Sequence, residues 1–148
     1  MNRTNLFEQL KIDEGVKYEV YKDHLGYPTF GVGHLILKDD PEYGFEEGTP
    51  ISEERVVDAF KYDSELAESE CVALFGNGFM LWQPEVQEIC INMMFNLGRT
   101  RLSKFKNFRA ALKDKDFARA AVEGRDSLWY RQVGNRAERL MVRLEALG

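Results

Sequence analysis

The chain has 148 residues, 44% of them hydrophobic and 30% charged, with a formal net charge of −5. That is material for one globular domain with a real core, divisible into two lobes. No apolar run reaches the length of a membrane-spanning helix, so membrane insertion is not expected.

The N-terminal stretch Met1-Asn2-Arg3-Thr4-Asn5 is polar and unlike a signal peptide, which sets the expectation of synthesis and folding in a cytoplasm. Leu6, Phe7 and Leu10 then mark one apolar helical face, with Asn5 and Glu8 spaced as a capping box. Gly15 suits the residue just past a helix, so a helix over 5–14 should end at Glu14. A carboxyl there lies at the negative end of the helix dipole and beside Asp13. Both effects favour the protonated form, and a held proton is what a general acid needs.

The period then changes. Val16, Tyr18 and Val20 alternate with Lys17, Glu19 and Tyr21, the pattern of a half-buried strand. Asp23-His24-Leu25-Gly26 reads as a turn, and Pro28 to Leu35 as one return strand carrying Gly31 and Gly33. Lys38 to Pro50 is an acid-rich loop, and the small β-containing lobe spans about 15–51. Ser52 caps a long helix over about 53–74, with Glu53 and Glu54 in its first turn and Val56, Val57, Phe60, Ser64, Ala67, Cys71 and Leu74 as its stripe. Gly76-Asn77-Gly78 stops it, and it reads as a strut to a helical lobe over about 79–148, to which the helix 5–14 is also assigned.

Pro84 opens the next helix, whose stripe Val86, Ile89, Cys90, Met93 and Leu97 is closed by Gly98. Shorter helices follow around Phe105–Leu112, Phe117–Ala121 and Asp126–Tyr130, and a last one after Gly134-Asn135 carries Leu140, Met141, Leu144 and Leu147. The class is α+β, predominantly α. Cys71 and Cys90 lie in helical patterns without metal-ligand spacing and are expected to be reduced, packed thiols. Gly31-Val32-Gly33 lacks the third glycine and following helix of a dinucleotide site, so no metal and no cofactor are expected.

Charge is distributed unevenly. Residues 1–98 hold 7 basic and 19 acidic side chains, residues 99–148 hold 13 and 6. Such a molecule is not a uniformly basic nucleic-acid binder. Its basic half either steers it onto an anionic polymer or is an ordinary set of solvated helix faces.

Two carboxylates in different settings, Glu14 at a helix end and Asp23 on a turn, are the equipment for glycoside hydrolysis, and a hydroxyl, Thr29, stands on the return strand. The runs Asp13-Glu14-Gly15, Tyr21-Lys22-Asp23, Gly26-Tyr27 with Thr29, and Gly31-Val32-Gly33-His34 together resemble the active-site segment of phage-type lysozymes (endolysins). The resemblance continues through Ile91–Gly98 and through Trp129-Tyr130 and Asn135-Arg136-Ala137, with a looser middle.

The resemblance implies a two-lobed fold with a long connecting helix and a cleft, and cleavage of the β-1,4 bond between N-acetylmuramic acid and N-acetylglucosamine in bacterial peptidoglycan. On it, Glu14 is the acid, and Asp23 either activates a water or stabilises the oxocarbenium-like transition state. Thr29 positions the water, and the sugar configuration inverts. Leu35 and Phe95 match cleft-lining positions, and Arg136 matches an arginine set against the catalytic glutamate, where it would favour the ionised form and oppose the dipole. His34 is expected to form a lobe-to-lobe ion pair with Asp63. Phe108 and Glu123 depart from the family pattern, and the overall acidity departs from its usual basic charge. A monomer is expected, acting on the wall after another factor breaches the membrane. Two other readings are a lytic transglycosylase, which needs the acid but no water-activating base, and a non-catalytic wall-binding or virion module.

Overall fold

The computed structural model describes all 148 residues, and seven helices and a three-stranded sheet account for its regular structure. The class is α+β and predominantly α, as the sequence reads. Contacts divide the chain into two units: Arg3–Leu66, and Ala67–Gly148 with Met1–Asn2.

In the first unit, helix α1 (Arg3–Glu14) ends where expected, and Gly15 takes φ 78° to turn the chain out of it. It starts two residues earlier than the capping-box reading, so Asn5 lies inside the helix. Contacts also group α1 with the sheet rather than with the helical lobe. Phe7 packs against the apolar cluster there, its ring 4.7 Å from that of Phe60, and Arg3 Nη1 donates to Ser64 Oγ at 2.8 Å.

Strand β1 (Lys17–Lys22) pairs antiparallel with β2 (Pro28–Gly31), and β2 with β3 (His34–Leu35), in the order β1-β2-β3. The single return strand expected over 28–35 is therefore two short strands. Gly31 and Gly33 adopt φ 64° and 67°, which reverse the chain through Val32 instead of extending it. The alternation in β1 is also weaker than it reads, because Val20 is buried while Tyr18 is 41% exposed. A register shift between Lys17 and Tyr21 interrupts the regular pairing.

The core of this unit is Val20, Phe30, Ile36, Ile51, Val56 and Ala59. Helix α2 (Glu53–Phe75) closes it, its first turn capped by Ser52, whose Oγ accepts from Arg55 N at 3.1 Å. Val57, expected in the buried stripe, is half exposed. The acid-rich loop is ordered by Arg55. Its guanidinium donates to Glu42 at 2.8 and 3.0 Å, to Asp40 at 3.3 Å and to Asp58 at 3.1 Å, and lies 5.4 Å from the centre of the Phe30 ring.

The second unit is built on α3 (Pro84–Leu102), entered through a 3-10 turn (Asn77–Leu81). Its residues from Val86 to Met94 are all buried, so Gln87, Glu88 and Asn92 are inside with the expected apolar stripe. Buried polar groups require partners, and Gln87 Nε2 donates to Phe79 O at 2.9 Å. At Gly98 the helix breaks (φ 76°, ψ 163°) and then resumes for one turn. Helices α4 (Lys106–Lys113), α5 (Phe117–Arg125), α6 (Leu128–Val133) and α7 (Asn135–Glu145) follow, with α7 packed on α3, α5 against both α4 and α7, and α6 against α7. Trp129 is buried, and its indole N–H donates to Asn96 Oδ1 at 2.6 Å. Phe108, one of the two departures from the family pattern, is core, while Glu123 is partly exposed. Both cysteines are buried free thiols, and burial pushes the Cys71 thiol up to about 12 and Cys90 well above its ordinary value. No helix is long and apolar enough to cross a membrane.

Candidate active site

The turn after β1 is built by Asp23. Its Oδ1 accepts from Leu25 N and Tyr27 N, both at 2.9 Å, while its backbone N–H donates to Tyr27 O and its carbonyl accepts from Gly26 N. An aspartate that caps its own turn in this way is held in one orientation. These bonds consume Oδ1 and leave Oδ2 out of the turn. Gly26 supplies the φ of 87° that the reversal needs.

Thr29 is the hydroxyl on β2. It is 3% exposed, and its Oγ1 donates to Tyr27 O at 2.9 Å. The proton is thereby committed, and the oxygen lone pairs remain for accepting. Tyr27 ties the two residues together, since its N–H holds Asp23 and its carbonyl holds Thr29.

Register places these groups. Tyr21 stands opposite Thr29 across β1–β2, and Thr29 opposite Leu35 across β2–β3. Residues directly opposite share a face, so Tyr21, Thr29 and Leu35 form one row across the sheet. The neighbouring pair, Phe30 and His34, points the other way, toward the core. Leu35 is 43% exposed at the end of the row.

Glu14 is exposed at the end of α1. Its relation to the row is read through Tyr21, whose phenol is held above its ordinary value first by burial, then by the charges of Asp23 and of Glu14. The helix-end acid and the turn acid thus both act on one phenol, and that phenol is the cross-strand partner of Thr29. Lys17 Nζ covers the same ring at 4.5 Å from its centre. In the sequence Tyr21 is part of the Tyr21-Lys22-Asp23 run but is given no role of its own. Beyond it, Val16 to Tyr21 with Glu47 and Gly48 line an open groove of about 580 Å³.

On the core face of the sheet, His34 Nδ1 lies 2.7 Å from Asp63 Oδ2 and its Nε2 lies 3.0 Å from Asp40 Oδ2. Burial by itself would lower the imidazole pKa, but the bonds and charges of Asp63 and then Asp40 outweigh it, and the net shift is upward. His34 and Asp63 belong to the same unit, so this pair is not the lobe-to-lobe bridge expected from the sequence. Asp40 was missed because a loop aspartate carries no periodic signal.

Two other candidate residues lie in the helical unit. Phe95 is half-buried on α3. Arg136 is 8% exposed in the first turn of α7, where Nε and Nη2 donate to Asn92 Oδ1 at 3.0 and 2.8 Å and Nη2 also to Asn92 O at 3.2 Å. Asn92 is fully buried, and its amide is the hydrogen-bonded seat of that guanidinium.

The chain is similar to known proteins along most of its length. The chain is 30% identical over 159 residues to a protein named probable T4-type lysozyme 2 of Dictyostelium discoideum, covering 93% of this chain and 92% of that protein. It is 30% identical over 165 residues to probable T4-type lysozyme 1 of the same organism, covering 96% and 94%. It is also 29% identical over 153 residues to the pre-baseplate central spike protein Gp5 of Enterobacteria phage T4, where the match covers 92% of this chain but spans only 27% of the spike protein. The model of the phage lysozyme family matches residues 11–146, a span that takes in Glu14, Asp23, Thr29 and Arg136, and the chain therefore belongs to that family.

Proposed function

We propose that this protein is a peptidoglycan hydrolase of the muramidase type, cleaving the β-1,4 bond between N-acetylmuramic acid and N-acetylglucosamine and so opening the bacterial cell wall. Membership of the phage lysozyme family and the names of the two Dictyostelium relatives support the class. The observation that carries the chemistry is the turn in which Tyr27 holds both Asp23, through its N–H, and Thr29, through its carbonyl, so that a carboxylate and a hydroxyl are fixed together.

In this reading Glu14 gives its proton to the glycosidic oxygen as the bond to the anomeric carbon breaks. Asp23 Oδ2, which the turn leaves available, takes a proton from a water as that water attacks the same carbon. Thr29 Oγ1, its own proton committed to Tyr27 O, accepts a hydrogen bond from the water and orients it. Direct attack by water inverts the sugar configuration. Leu35, exposed at the end of the same row, contacts the apolar face of a sugar.

The test is release of reducing ends from purified peptidoglycan, with the anomer formed at the first turnover read by proton NMR. Release with inverted configuration supports the reading. Anhydro-sugar products without reducing ends would replace it with a lytic transglycosylase.

A further inference from the structure

A second pocket, of about 390 Å³, lies in the helical unit, lined by Ala73, Leu74, Arg99, Thr100, Ser103 and Arg109. Three elements form it: the last turns of α2, the short helical stub after the break at Gly98, and α4. Arg109 is anchored by two backbone carbonyls, donating from Nη1 to Ser103 O at 2.8 Å and from Nη2 to Leu74 O at 3.2 Å. Its Nε is buried with no acceptor. The guanidinium's charge is met here by carbonyl dipoles and not by a carboxylate.

The surroundings have the same sign. From Ile89 to Lys113 the chain carries six cations, Arg99, Arg101, Lys104, Lys106, Arg109 and Lys113, and not one acid, although the whole chain is net acidic. Arg99 and Thr100 are exposed at the pocket, and Ser103 Oγ is engaged with Thr100 O at 2.6 Å. The donors offered to a ligand are therefore the Arg99 guanidinium and the Thr100 hydroxyl, beside the charge of the anchored Arg109 guanidinium. Two donor groups and two positive charges suit the oxygens of a compact anion.

We propose that this pocket binds an oxyanion, a carboxylate or phosphate group, held by Arg99, Thr100 and Arg109. A wall polymer supplies either group, through the carboxylates of peptide stems or the phosphates of attached glycopolymers.

The test is calorimetric titration of the full chain, at physiological salt, with inorganic phosphate and separately with N-acetylglutamate. One-to-one saturable binding of either probe is expected, and the tighter of the two identifies the source. Arg99→Gln and Thr100→Ala should each weaken that binding by about ten-fold, the loss of one charge-assisted hydrogen bond. Lys113→Gln, on the same basic segment but outside the pocket lining, should leave it within about two-fold. The Arg109 Nε–H resonance should shift on saturation in the unaltered protein, which avoids relying on an Arg109 variant that loses its anchoring role. Absence of binding by both probes, or equal losses in Arg99→Gln and Lys113→Gln, would overturn the pocket and leave only a diffuse basic surface.

Discussion

His34 Nδ1 lies 2.7 Å from Asp63 Oδ2, while its other ring nitrogen lies 3.0 Å from Asp40. Two acids on one buried imidazole hold its pKa above 6.5 against the opposing effect of burial. A raised folded-state pKa stabilises fully below the unfolded value, and the contribution disappears as pH rises through the folded value. Denaturant melts of the wild type and His34→Asn should therefore differ most below about pH 6.5, by at least about 1.5 kcal/mol for charge-assisted bonds of this kind. The gap should narrow at alkaline pH. A difference independent of pH would mean that packing, not the ion pair, is the contribution of His34.

Arg55 holds the acid-rich loop, and Glu42, its main partner, is 5% exposed. The Arg55 hydrogen bond pulls the Glu42 carboxyl below its ordinary value, so its contribution is present above pH 4.5 and fades as pH falls through the lower folded value. Arg55→Gln would strand a buried carboxylate. The expected cost is about 2–3 kcal/mol at pH 7, below the value for a fully buried pair because the Arg55 side chain keeps 23% exposure. Equilibrium melts at pH 7 and pH 3.5 check this, with the smaller difference expected at pH 3.5.

Gly31 and Gly33 both sit at positive φ, but their surroundings differ. A Cβ at Gly31 would come within 3.2 Å of Val56 Cγ1, whereas one at Gly33 meets nothing within 4 Å. Backbone strain alone costs about 1 kcal/mol or more. Gly33→Ala should lose about 1 kcal/mol and Gly31→Ala about 2 kcal/mol or more, since Val56 must also move. Equal losses would show that Val56 yields freely.

Asp23→Asn separates the structural role of this residue from the chemical one. The amide oxygen can still accept from Leu25 N and Tyr27 N, so the turn and the melting temperature should be kept. The base is gone, and the turnover rate should fall by about 10²–10⁴-fold. Retained activity with anhydro-sugar products would point instead to a transglycosylase.

Much of this was legible in the sequence wherever a local rule acts alone. Gly15, Ser52 and Pro84 end, cap and open their helices as read, because capping chemistry is decided within a few residues. Paired glycines were harder. Gly31 and Gly33 are compatible with a strand until the chain's return to β2 is known, and only then do they become a turn. Gln87, Glu88 and Asn92 escaped because a helix buried on all sides has no polar face to betray it. In the candidate site, Asp23 and Thr29 could be picked by motif, but not the way Tyr27 locks both. That depends on a turn conformation. Tyr21 becomes visible only through the register that sets it opposite Thr29.

The central claim is that Glu14 is the proton donor of a glycosidase. It is tested most directly by reducing-end release from purified peptidoglycan, comparing the wild type with Glu14→Gln. Glutamine is nearly isosteric, and Glu14 is exposed at the last position of α1, so folding should be retained. Robust release by the wild type and a loss of at least about 10²-fold in Glu14→Gln is the predicted result. Equal release by both proteins would place the acid elsewhere, and no release by either, with wall binding intact, would make this chain a binding module.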